Sequence, residues 1–231
     1  MKHLQPKTLR VYLAILTCPR FSQRGLMAVL NRHCSVSIGM VNEVVNDLVR
    51  KRLVERAGKG ALNTVFSENN VLSIGLRGGY VVSDVVGLLN LISLFRRMAE
   101  LRMFTRKIRA AKGDVISELA KKDAVLCLGS AMEMYSNHFR AEEMSFYAPR
   151  VESIKDMIME APEGNTRVSC YRSDYTRDTG KNPDIFRDNL FAGRIRKVAL
   201  TTKVQTVIDM YCDGKGAYAA PLLEELWGVV V

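Results

Sequence analysis

Apolar positions along the first part of the chain recur at the helical period. After Thr8, the residues Leu9, Tyr12, Leu13 and Leu16 mark one helix, and Cys18-Pro19 ends it. Ser22 is placed to cap a second helix with Leu26, Val29 and Leu30 on its inner face. The link Asn31–Ser35 leads into a third helix, opened by Ser35 or Ser37 and running to about Arg52. Its core stripe is Val41, Val44, Val45 and Leu48. Leu53–Arg56 predicts a short strand, Ala57–Gly60 a tight turn and Asn63–Phe66 a returning strand. Residues 80–112 then predict a helical segment, punctuated by Gly78-Gly79 and Gly113, with Val81, Val85, Leu88, Leu89, Ile92 and Phe95 on one face.

From Asp114 the two periods mix. Helices are expected at Val115–Lys122, from Ser130–Tyr135 and at Ser153–Glu160. Strands are expected at Ala124–Leu128, Met144–Ala148, Arg167–Tyr171 and, by its alternation, Arg194–Leu200. Thr202 should cap a helix carrying Val204, Val207, Ile208 and Tyr211, which stops at Asp213–Gly216. A last helix follows from about Ala217 to Leu226, with Trp227 closing the core. Such intermingling around one sheet defines an α+β class. The expected division is a module over 1–68 and a mixed α/β domain over 69–231, with 80–112 as a basic connecting helix.

Charge adds direction to this outline. The 231 residues carry a formal net charge of +10 on an ordinary globular composition, 48% hydrophobic and 25% charged. Residues 1–60 hold 11 basic and 3 acidic side chains, residues 96–122 hold 9 and 3, and the remainder is net acidic. A basic surplus confined to two segments points to a polyanion partner. The N-terminus is too polar for a signal peptide, and the apolar run Tyr80–Phe95 is too short and too interrupted to span a bilayer. The five cysteines are scattered without CxxC spacing, so buried thiols in a reducing cytoplasm are expected, with neither a disulfide framework nor a metal site.

Three helices followed by a hairpin with a glycine-lysine-glycine tip read as a winged helix-turn-helix. The face of the third helix opposite its valines carries Gly39, Asn42, Glu43, Asn46 and Arg50, and Ser37 at its start and Lys51 at its end are further candidate DNA contacts. Asn can pair with adenine, Glu can accept from cytosine, and Arg can read guanine or anchor on phosphate. Arg24 on the second helix, with Arg56 and Lys59 in the wing, would add backbone contacts. The stretch VSIGMVNEVVNDLVRKRLVER is similar to the recognition-helix-plus-wing segment of many winged helix-turn-helix regulators. Double-stranded DNA is therefore the expected partner, although charge alone does not separate it from structured RNA.

The later half carries two further similarities. VLCLGSAMEMYSNHFRAEEMSFY resembles the opening motif of AbiEii-like nucleotidyltransferases, with Gly129, Ser130, His138 and Arg140 in matching places. That family's paired carboxylates would here read Glu143-Met144-Ser145, so one is replaced by Glu and the other is missing. A two-metal clamp cannot then form, and a non-catalytic relative is expected. The helix-bearing segments Ser130–Tyr135 and Thr201–Asp209, together with the winged helix, make the chain resemble the AbiEi-type antitoxin and transcriptional regulators. The resemblance implies a DNA-binding repressor that binds as a homodimer and can neutralise a nucleotidyltransferase-like toxin. An interaction protein that mainly blocks such a toxin, and an active nucleotidyltransferase, stand as alternatives.

Overall fold

The computed structural model describes residues 6–31, 36–57, 79–122, 124–148, 160–173, 191–195 and 198–230. The protein is a mixed α+β chain that divides into two compact units, Lys7–Leu88 and the chain from Leu89 onward. The division expected at residue 68 lies outside the described residues.

The first unit contains α1 (Pro6–Thr17), β1 (Arg20–Phe21), α2 (Gln23–Leu30), α3 (Ile38–Arg50), β2 (Val54–Ala57) and β3 (Gly79–Val82). Ser22 caps α2 by accepting the Gly25 N–H at 2.9 Å, and Ser37 caps α3 by accepting the Met40 N–H at 3.2 Å. The valine stripe of α3 is buried with Leu26 and Leu30 of α2, as its spacing requires. α1 is buried beyond its predicted face, since Val11, Ala14 and Ile15 are enclosed as well as Leu9, Leu13 and Leu16.

α3 ends in a helix-terminal turn that normally uses glycine. The Leu53 N–H reaches Leu48 O and the Arg52 N–H reaches Val49 O, both at 3.0 Å, with Arg52 left-handed at φ 58°. The strands form an antiparallel sheet in the order β1-β3-β2, with Phe21 opposite Tyr80 and Arg56 also opposite Tyr80 across β3. The partner of β2 in the described structure is thus Gly79–Val82. The expected turn at Gly58–Gly60, with Lys59, and the expected strand Asn63–Phe66 lie outside the described residues.

Residues 80–112 are not one helix, which corrects the expected basic connecting helix. After β3 come α4 (Val85–Phe95), α5 (Met98–Leu101), β4 (Arg102–Ile108) and the start of α6 (Lys112–Ala120). Asp84 opens α4 by accepting the Gly87 N–H at 2.7 Å. A Cβ on Gly87 would lie 2.2 Å from that carboxylate and 2.8 Å from Leu53 Cδ2, so glycine is required there.

The second unit is built on a six-stranded sheet, order β4-β7-β6-β5-β9-β8. Its strands beyond β4 are β5 (Val125–Leu126), β6 (Met144–Tyr147), β7 (Thr166–Tyr171), β8 (Ala192–Ile195) and β9 (Val198–Thr201). Pairings β6/β7 and β5/β9 are parallel and the others antiparallel. The expected single strand Arg194–Leu200 is therefore a hairpin of β8 and β9. Its helices are α7 (Leu128–Tyr135), α8 (Lys203–Cys212) and α9 (Ala220–Trp227), besides α6. The expected helix Ser153–Glu160 falls outside the described residues except for Glu160. Trp227 is half-buried at the end of α9.

All four residues of β6 are buried, because both faces of the sheet are covered. Met144 and Phe146 join Val168 and Cys170 of β7 in one core with Val115, Leu119 and Ala131. Ser145 and Tyr147, beside Ser169 and Tyr171 in register, point to the other face. There Tyr147 packs on Tyr171 and Phe191 at ring separations of 6.3 and 5.4 Å.

Candidate nucleic-acid interface

The outward face of α3 is set by its valines. Because Val41, Val44, Val45 and Leu48 fix one side, the residues at Gly39, Glu43, Asn46 and Arg50 form an exposed stripe on the other. Ser37 is exposed at the head of the stripe, where its hydroxyl is engaged as the helix cap. Asn42 sits at the margin, half-buried, with Oδ1 out of solvent and no hydrogen-bond partner among the described residues. The polar side chains of the stripe that stand in solvent are therefore Glu43, Asn46 and Arg50.

Further basic residues of the same unit are exposed. Arg24 on α2 is exposed, and so are Lys51, Arg52 and Arg56 beyond the end of α3. Asp47 lies 3.6 Å from the Arg50 guanidinium and is hydrogen-bonded by Lys51. These exposed pairs contribute little stability, but they hold two cations at the C-terminal end of the helix. The same carboxylate acts inward, where burial and the Asp47 charge push the Tyr12 hydroxyl up to about 12. Sequence reasoning missed Ile38, which leads α3 with 47% of its surface exposed. It also missed Arg52, whose left-handed backbone projects it at the turn after α3. Lys59 lies outside the described residues.

The nucleotidyltransferase-like segment is used for internal ties. Ser130 Oγ accepts the Ser145 N–H at 2.8 Å and so fastens α7 to β6. Glu143 accepts from Ser169 Oγ at 3.0 Å and lies 3.8 Å from the Arg167 Nε. Glu142 is exposed while Glu143 is half-buried, as expected for adjacent residues entering a strand. A Cβ on Gly129 would stand 3.3 Å from Ala141 and 3.4 Å from the Phe139 ring, which sets how closely the return loop packs. His138 and Arg140 of that loop are exposed.

The second motif region is a buried polar network. Thr202 caps α8 by accepting the Gln205 N–H at 3.2 Å, as its position predicted. Thr201 and Thr206 hydroxyls meet at 2.8 Å, and Gln205 Nε2 donates to Asp209 Oδ1 at 2.7 Å. That oxygen also accepts from Arg96, whose second nitrogen donates to Tyr147 Oη at 2.9 Å. Tyr135 of α7 donates to Thr201 O at 2.7 Å, which ties α7 to the end of β9 just before α8. Burial, with a lesser effect from Glu225, pushes the Tyr135 hydroxyl up to about 12.

Cys18, Cys127, Cys170 and Cys212 are free thiols, the last three buried. Burial pushes Cys170 up to about 12 and Cys127 well above the ordinary thiol value, the Asp209 charge adding to the latter. Among the described residues no group of His, Cys, Asp or Glu converges in a way that could hold a metal, and no helix is long and apolar enough to cross a membrane.

These observations define a mixed α+β protein, with N-terminal helices on a small antiparallel sheet and a separate six-stranded mixed sheet with helices. Set against known protein families, curated proteins and solved structures, the chain matches none of them.

Proposed function

We propose that this protein is a DNA-binding transcriptional regulator whose first unit is a winged helix-turn-helix and whose α3 enters the major groove. The supporting observation is the conjunction of topology and surface on α3. The order α1-β1-α2-α3-β2-β3 with sheet order β1-β3-β2 suits a winged helix. Its third helix presents the polar stripe Glu43, Asn46 and Arg50 to solvent, and Arg24, Lys51, Arg52 and Arg56 are exposed on the same unit. Glu43 and Asn46 read base edges, and Arg50 with the other exposed cations binds phosphates. Bound as a homodimer, two such units would reach half-sites about one helical turn apart, the mode of a repressor of the AbiEi type.

The second unit is then a non-catalytic partner domain. Glu143, which stands where the nucleotidyltransferase-like motif has a metal-binding carboxylate, is spent on Ser169 and Arg167. An antitoxin role for this unit is favoured by Tyr218, 59% exposed, which meets Phe139 edge-on at 5.8 Å beside exposed Arg140. Tyrosine and arginine are the residues enriched at protein interfaces.

Selection of bound sequences from random duplex DNA, run beside a random RNA pool, tests the reading. Enrichment of a duplex motif supports it. Enrichment from the RNA pool alone rejects it in favour of an RNA-binding protein.

A further inference from the structure

The first turn of α3 has two features that the fold itself does not call for. Ile38 is a large aliphatic side chain held 47% in solvent at the first helical position. The next residue is Gly39, also exposed, whose backbone is not left-handed. A Cβ built there would meet nothing closer than Ser37 Oγ at 3.9 Å. Glycine in a helix costs stability relative to alanine, and here no packing neighbour among the described residues explains it. Both anomalies sit at the head of the stripe that continues through Glu43, Asn46 and Arg50.

Resting on the DNA-binding reading above, we propose that this turn reads a thymine: Ile38 packs against the C5-methyl group, and the missing Cβ of Gly39 lets the backbone come close enough for that contact. The chemistry fits the groove. The thymine methyl is the one apolar feature a base pair presents there, and an aliphatic side chain is its complement. Asn42, one turn further on, offers no bidentate pair because its Oδ1 is buried. Apolar recognition therefore heads the helix and polar recognition follows it. The operator should then contain a thymine whose methyl matters, placed to one side of the base pairs read by Glu43 and Asn46.

Replacing each thymine of the selected duplex in turn by deoxyuridine removes the methyl and leaves every hydrogen-bonding group in place. Wild-type protein should bind one uracil-substituted duplex per half-site roughly fourfold more weakly, the scale of one methyl returned to water. The Ile38→Ala variant should bind the thymine duplex more weakly and should not distinguish it from the uracil one. Wild-type binding unaffected by uracil at every position overturns the inference while leaving DNA binding intact. An equal thymine preference in Ile38→Ala also overturns it, since another group would then be reading the methyl. Failure to enrich any duplex overturns the DNA-binding reading and the inference together.

Discussion

Arg96 donates from Nη1 to Asp209 Oδ1 at 2.7 Å across 113 residues of sequence, with both side chains almost wholly out of solvent. Tyr147 and Gln205 complete the arrangement, so each charge is compensated within the second unit. Such a pair contributes less than its Coulomb energy suggests, but removing one partner strands the other charge in a low dielectric. Asp209→Ala should therefore destabilise the protein by ~3–5 kcal/mol. Glu163→Ala, which breaks the exposed Arg109–Glu163 pair, should cost less than ~1 kcal/mol. Urea midpoints of the two variants against wild type check the contrast.

Alkaline pH should unfold this protein more readily than its net charge implies. Cys170 is pushed from 9.0 up to about 12, and Tyr12, Tyr135 and Tyr171 from 10.0 up to about 12, chiefly by burial. Each folded-state value is raised, so the native state holds protons that the unfolded chain releases. Their contribution is fully present below pH 9 and is lost as pH rises from about 9 to about 12. Denaturant midpoints should fall steadily over that window. A midpoint unchanged up to pH 11 would contradict the burial of these groups.

Arg52 separates stability from binding. Its left-handed backbone, φ 58°, costs about 1 kcal/mol that glycine would not incur. Arg52→Gly should raise stability by up to about that amount and weaken duplex binding through loss of a phosphate contact. Thermal unfolding and fluorescence anisotropy on one preparation measure both effects.

Gly39→Ala makes a comparable split. With Ser37 Oγ, 3.9 Å away, the nearest atom among the described residues, the new methyl group is accommodated. Stability should rise by about 0.4–1 kcal/mol. Affinity for a selected duplex should fall on the order of tenfold, the scale of one disturbed base contact. Unchanged affinity would place the first turn of α3 away from the groove.

Local signals were readable in the sequence wherever short-range physics decided the outcome. Ser22 and Thr202 cap the helices they preceded, and Val41 to Leu48 formed the predicted buried face. Strands β6 and β7 fell where their apolar runs placed them. What stayed hidden depends on distant partners. Tyr80–Val82 continues the apolar run of α4 and reads as its first turn, yet it pairs with Arg20–Phe21 and Val54–Ala57. The basic run after Phe95 reads as the continuation of one connecting helix. Instead Arg96 is buried against Asp209, and Arg102–Ile108 pairs with Thr166–Tyr171. Charge at an outer strand of a sheet looks like charge on a helix until the pairing is known. The polar stripe of α3 was legible from its spacing, but burial moved Asn42 to its margin and left Ile38 exposed ahead of it.

If α3 and the exposed cations of its unit bind duplex DNA, the affinity must depend steeply on salt. Each neutralised phosphate contributes about −0.9 to the slope of log affinity against log salt concentration. The account predicts a steep negative slope for wild type and a slope shallower by about one unit for Arg50→Ala. A flat dependence, or the same slope in wild type and Arg50→Ala, would contradict it.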